Sequence, residues 1–193
     1  MMRLKMMRLF LALELPALLQ KQLRLLQEEF SFLDREIKWV PEANLHVTLH
    51  FLGFLPEGEV AQVCACAVDV ARGIRPFTVD IGGLGVFPSR GKPRVFWAGI
   101  GAGREELHDL YTYLGVSLEK AGFAVERRPY TPHVTLGRFR KLPVAAARLH
   151  SEIKQREEAT YGNFTARDIA LFQSILTPGG PIYKVRQRFD LRR

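Results

Sequence analysis

Apolar positions along the chain follow strand and helix periods in turn, and the order of elements comes round twice. Arg8 to Leu15 is almost continuously apolar, as in a buried strand. Pro16 then opens a helix in which Leu19, Leu23, Leu26, Phe30 and Leu33 recur every three or four residues. A strand follows from about Leu45 to Leu52, with Gly53 expected to end it. Pro56 introduces a second helix with Val60, Val63, Cys64, Ala67 and Ala71 inward. Phe77 to Phe87 and Arg94 to Ile100 read as strands joined by the basic turn Pro88-Ser89-Arg90-Gly91-Lys92-Pro93. A helix from Arg104 to Lys120 stops at Gly122, a strand spans Pro132 to Arg140, and Pro143 opens a helix to about Glu158. Phe164 to Leu176 and Ile182 to Leu191 close the chain as strands joined through Thr177-Pro178-Gly179-Gly180-Pro181.

Helix, strand, helix and strand pair therefore occur twice, without a linker of disordered composition between the copies. The expected fold is α+β: one bilobal domain over residues 1–193, with pseudo-repeats of roughly 8–100 and 101–193. Two antiparallel-rich sheets flanked by helices would enclose a central cleft.

The strongest local signal lies in the middle strand of each copy. His46-Val47-Thr48-Leu49 is repeated as His133-Val134-Thr135-Leu136. Side chains alternate faces along a strand, so each copy turns His and Thr one way and Val and Leu the other. One such strand would be explained by a core histidine; two at matching points of a repeated architecture call for a shared cleft. Two imidazoles there would provide the general acid and general base that in-line displacement at phosphorus needs without a metal.

Composition adds a partner. The chain carries 28 Lys and Arg against 20 Asp and Glu, a net charge of +8. That excess fits a polyanion, nucleic acid above all, although basic surfaces also serve solubility. Cys64 and Cys66 in one helix point to different faces, which suits reduced thiols in a cytoplasmic protein better than a disulfide or zinc. The opening Met1 to Leu13 resembles a signal peptide until Glu14 and Pro16 cut the apolar run short. No stretch approaches the ~20 apolar residues of a membrane span.

The two motifs in context are His46-Val47-Thr48-Leu49-His50-Phe51-Leu52-Gly53 and Thr131-Pro132-His133-Val134-Thr135-Leu136-Gly137-Arg138. They resemble the HxTx signature of the two-histidine phosphoesterase superfamily. Arg8-Leu9-Phe10-Leu11-Ala12, Trp39-Val40-Pro41, Leu84-Gly85-Val86-Phe87-Pro88, Arg94-Val95-Phe96-Trp97-Ala98-Gly99, Leu171-Phe172-Gln173-Ser174 and Pro178-Gly179-Gly180-Pro181-Ile182-Tyr183 narrow the resemblance. Within the superfamily the chain is similar to the LigT-like RNA 2',3'-cyclic phosphodiesterases, also called 2'-5' RNA ligases, over almost its whole length.

The resemblance implies metal-independent opening of a terminal RNA 2',3'-cyclic phosphate to a 2'-phosphate, with 2'-5' ligation as the reverse reaction and no cofactor. It implies His46 as proton donor and His133 as proton acceptor, roles that the near-symmetry of the site would also permit reversed. Thr48 and Thr135, on the same faces, would donate to the non-bridging phosphate oxygens. Arg138 matches a phosphate-contacting arginine, yet strict alternation would point it away from His133. A bulge or bend near Gly137, or a reach round the strand end, would have to reconcile the two. Phe51, at the corresponding place in the first copy, either stacks on a base or packs in the core, the commoner fate. Strict alternation puts His50 on the His46 face, lining the cleft rim, ~13 Å away and too far to share a metal ion. His108 and His150 fall on helix surfaces.

Basic clusters at Arg90, Lys92 and Arg94, at Arg127 and Arg128, and at Arg138, Arg140 and Lys141 would hold an RNA backbone or stand as solvated loops. The expected enzyme is a monomeric, cytoplasmic hydrolase acting on RNA with a 2',3'-cyclic phosphate end, tRNA fragments among the candidates, and with no membrane partner. Two other readings use the same scaffold: a phosphodiesterase for small cyclic nucleotides, and a non-catalytic RNA-binding protein.

Overall fold

A computed structural model describes residues 5–126 and 128–192. Arg127 and Met1 to Leu4 therefore lie outside the described residues. The strands are β1 (Met6–Glu14), β2 (Ile37–Trp39), β3 (His46–Pro56), β4 (Phe77–Phe87), β5 (Val95–Ile100), β6 (His133–Phe139), β7 (Thr160–Ala166), β8 (Asp168–Thr177) and β9 (Gly180–Asp190). The α-helices are α1 (Ala17–Glu29), α2 (Val60–Gly73), α3 (Arg104–Lys120) and α4 (Ala146–Gln155).

All strand pairs are antiparallel, and the sheet curls as two halves. One half runs β9-β8-β1-β3; the other runs β6-β5-β4-β7, with β2 paired to the far end of β6. Helices α2 and α3 cover the first half, and α1 and α4 the second. This is the expected α+β, antiparallel, helix-flanked architecture, with the two sheets joined. The junction is one residue pair, Val47 opposite Val134.

The β9-β8-β1-β3 half takes strands from both ends of the chain, and the other half takes its strands from between them. The apolar run from Phe164 to Leu176, read as one strand, is two: Phe164 of β7 pairs with Val79, whereas Ala170 of β8 pairs with Ala12 at the other side of the sheet. The buried Phe164 and Ala166 that end β7 run almost directly into the buried, apolar β8, so the pattern hides the crossing at Arg167. Nor does Gly53 end β3. It takes a left-handed φ of 71°, and an irregularity between Leu9 and Phe10 keeps β3 paired with β1 as far as Pro56. In α2 it is Cys66 that is buried, with Cys64 half-buried. The three residues of β2 are too few for periodicity to reveal.

The core is aliphatic and continuous. Leu19, Leu23, Leu26, Phe30 and Leu33 are buried as the helical spacing requires, and so are Leu107, Leu110, Leu114 and Leu118 of α3. Each such side chain contributes about 1.5–3 kcal/mol on removal from water. Val47, Leu49, Val134 and Leu136 join this core, which fixes the opposite faces of β3 and β6 toward the cleft.

Both motif strands carry a β-bulge at the same step. On β3, Thr48 pairs with Ala12 and His50 with Leu11, leaving Leu49 as the extra residue. On β6, Thr135 pairs with Trp97 and Gly137 with Phe96, leaving Leu136 extra. Each bulge reverses the facing of the residues beyond it. Gly137 is thereby turned into the core, where a Cβ would stand 2.5 Å from Ile37 Cδ1 and 3.1 Å from Trp39 Cε3. Gly137→Ala is accordingly expected to lower the unfolding free energy by about 2 kcal/mol, read as a shift in the urea midpoint at constant m.

Candidate active site

The pair Val47–Val134 sets the site. Both valines are fully buried, so His46, Thr48, His133 and Thr135 project from the other face around the junction, each partly accessible. Residues remote in sequence meet because here strand pairing joins the two halves of the sheet.

The imidazoles are held alike. His46 Nδ1 donates to the carbonyl of Asn44 at 2.7 Å, and His133 Nδ1 donates to the carbonyl of Thr131 at 2.7 Å. A proton on Nδ1 leaves Nε2 with a lone pair in each neutral ring. That atom of His46 accepts from Thr48 Oγ1 at 2.9 Å. Aromatic rings enclose both histidines. Phe10 and Tyr183 lie 5.0 and 5.4 Å from the His46 ring, and Phe87 and Trp97 lie 5.0 and 6.2 Å from the His133 ring. Trp97 lies against its partner Gly85, where a Cβ would come within 2.1 Å of the indole.

The bulges decide the remaining candidates. Arg138, beyond the Leu136 bulge, turns to the His133 face, and its charge acts on both imidazoles. The conflict with strict alternation is thus resolved by the bulge. Phe51, beyond the Leu49 bulge, is half-exposed on the cleft face beside Phe10, at a ring distance of 5.9 Å. It is not a core residue. His50 has moved the other way and does not line the cleft. It is buried beneath α3, its Nε2 donates to the carbonyl of Tyr111 at 2.7 Å, and its ring stacks on Tyr111 at 4.2 Å. Gly115 makes room for it. His108 and His150 are exposed on helices, as expected.

A family model for LigT like phosphoesterases matches the chain twice, over residues 13–97 and 100–183. The chain belongs to the LigT-like phosphoesterase family. A Methanocaldococcus jannaschii protein named RNA 2',3'-cyclic phosphodiesterase is 34% identical over 179 residues, spanning 93% of this chain and 98% of that one. A Methanothermobacter thermautotrophicus protein of the same name is 35% identical over 184 residues, spanning 95% and 98%. Among solved structures, a Thermus thermophilus protein superposes with a TM-score of 0.79 at 32% identity, covering 96% of this chain and 98% of that one. Escherichia coli LigT bound to 3'-AMP shares the fold, with a TM-score of 0.80 at 23% identity and coverage of 98% and 100%.

Side chains that the sequence did not single out complete this LigT-like site. Beyond the Val47–Val134 pair β3 and β6 part, and side chains reach main-chain carbonyls on either strand. Tyr130, just ahead of His133, donates its hydroxyl to Thr48 O at 2.9 Å. It stacks on Tyr111 at 4.1 Å, and burial raises its pKa, so the phenol stays a donor. Gln27 of α1, buried, donates to Leu136 O at 2.8 Å and Val40 O at 2.9 Å. Asn44, whose carbonyl holds His46, donates from Nδ2 to Pro181 O at 2.8 Å, tying the β8–β9 turn to the site. None of these has a periodicity or motif to announce it; an amide or phenol beside a motif strand was the only signal. No helix among the described residues is long and apolar enough to cross a membrane.

Enclosure controls the proton affinity of both rings. Burial lowers the His46 pKa to about 4, the bond to Asn44 O opposes the shift, and the charges of His133 and Arg138 add to it. His133 is lowered too, by burial first and then by Arg138, against the bond to Thr131 O. A histidine depressed in the fold takes up more protons unfolded, so stability is full above the unfolded value of ~6.5 and falls as pH drops toward the folded value. Between pH 7 and pH 4 the His46 contribution amounts to about 3 kcal/mol. Urea midpoints should therefore decline over that window, and decline less in His46→Asn.

Proposed function

We propose that this chain opens terminal 2',3'-cyclic phosphates on RNA to 2'-phosphates, with His46 and His133 as its acid and base. The observation that carries the reading is the matched pair of imidazoles, each anchored through Nδ1 and each aiming Nε2 into one cleft between the motif strands. The names of the archaeal relatives support the same reaction, and the net charge of +8 suits an RNA substrate.

The proposed step needs no metal or cofactor. Water forms a bond to phosphorus as the bond from phosphorus to the 3'-oxygen breaks. His133 Nε2 takes the proton from water, and His46 Nε2–H gives its proton to the departing 3'-oxygen. The 2'-ester survives, and a 2'-phosphate results. A 5'-hydroxyl in the place of water would form a 2'-5' linkage by the same proton movements.

Burial opposes the proton that His46 must carry, since its pKa in the empty cleft is about 4. An anionic phosphate between the rings provides the missing counter-charge, so substrate loads the acid. Thr48 joins that change. Its hydroxyl donates to neutral His46 Nε2; once Nε2 is protonated, the hydroxyl proton is released to a phosphate oxygen. Thr135 takes the equivalent place beside His133, and Arg138 adds charge to the phosphate oxygens, where it develops in the transition state. Phe51 offers an exposed aromatic face for a base.

An oligoribonucleotide ending in 2',3'-cyclic phosphate, incubated with the protein and a chelator, is expected to give a 2'-phosphate by mass and phosphatase mapping. A 3'-phosphate or no turnover would contradict the reading, and loss of turnover with chelator would remove the metal-free step. His46→Ala and His133→Ala should each lower kcat by about 10²- to 10⁴-fold. The roles separate with an aryl phosphodiester, whose leaving group needs no proton. His46→Ala should turn it over nearly as fast as wild type, and His133→Ala should remain defective; the opposite result reverses the assignment. Tyr130→Phe, which loses only the bond to Thr48 O, should reduce kcat several-fold at unchanged KM.

A further inference from the structure

Lys38 stands directly opposite Arg138 where β2 pairs with β6, and both side chains are exposed. Directly opposed residues share a face, so Lys38 belongs to the cleft side with Arg138. Like charges across a ladder destabilise it unless something neutralises them. Among the described residues neither has a carboxylate within 4.0 Å, and Glu36, next along the same row, pairs with neither. The lysine reaches toward the opposite half of the sheet. Its ammonium lies against the β8–β9 turn, where a Cβ on Gly180 would be 3.4 Å from Nζ, and that turn is tied down through Asn44.

The other flank of the site is different. Phe51 occupies in β3 the place that Arg138 holds in β6, and Arg8, on the Phe10 face of β1, is engaged with Ser174 Oγ at 3.0 Å, so the opposed pair of cations lies on the β6 side. Resting on the functional reading above, we propose that Lys38 forms, with Arg138, a second phosphate subsite. It takes the phosphodiester next upstream of the cyclic end and makes the enzyme prefer RNA chains to cyclic mononucleotides. The strand spacing of ~4.8 Å sets Lys38 one strand beyond Arg138 on the side away from β5, so the pair can meet two successive phosphates of a chain that leaves the histidines over β2.

The test compares kcat/KM for a tetraribonucleotide ending in 2',3'-cyclic phosphate with that for a nucleoside 2',3'-cyclic phosphate. Wild type should favour the tetranucleotide. Lys38→Gln should reduce that ratio about tenfold, through KM, and lower the salt slope for the tetranucleotide by about 1. Lys38→Glu should reduce it further, whereas Lys120→Gln on the outer surface of α3 should leave it unchanged. Wild-type turnover of both substrates with the ratio unaltered in Lys38→Gln would overturn this inference alone. Absence of turnover on either substrate would overturn the functional reading beneath it as well.

Discussion

One antiparallel pair, Val47 against Val134, joins the two halves of the sheet, and everything chemically useful is arranged around it. Because the valines are fully buried, their neighbours must face the cleft, and because the strands part at once, the cleft stays open. A longer ladder would have closed the gap between the histidine-bearing strands. Side chains from outside the strands reinforce the seam, Tyr130 donating to the carbonyl of Thr48 and Gln27 to that of Leu136, which also accepts from Val40 N.

The twin bulges give the repeated motif two outcomes. In both copies the extra residue is the leucine of His-Val-Thr-Leu, and in both the fifth residue after the histidine returns to the cleft. One copy delivers Phe51 and the other Arg138. The residue before it goes inward, where His50 has room under Gly115 of α3 and only glycine fits beside Ile37 and Trp39. A fold built from near-equal halves thereby places an aromatic ring at one of two matching positions and a cation at the other.

Enclosure by aromatic rings serves the chemistry and costs stability in acid. The rings that hold His46 and His133 in place also exclude water and depress their proton affinity. An empty cleft favours two neutral imidazoles, the base form. On the proposed mechanism, substrate charge converts one of them into an acid, which couples protonation to occupancy.

The repeated His-Val-Thr-Leu, the helical leucine spacings and the element order were legible in the chain because they are local. Strand alternation and helical period act between near neighbours, and they sufficed for the α+β architecture and the facing of the two histidines and two threonines, while the family was carried by the resemblance of the paired motifs and their neighbouring blocks. The facing of His50, Phe51 and Arg138 was not legible, because a bulge depends on which strand lies alongside and how that strand is registered. Likewise Lys38, Tyr130, Gln27 and Asn44 gain significance only from segments far away in sequence. Sequence by itself determined which residues share a strand face. The tertiary structure decided where that count is interrupted and which distant backbone each side chain meets, since these depend on pairing between strands, which no single segment encodes.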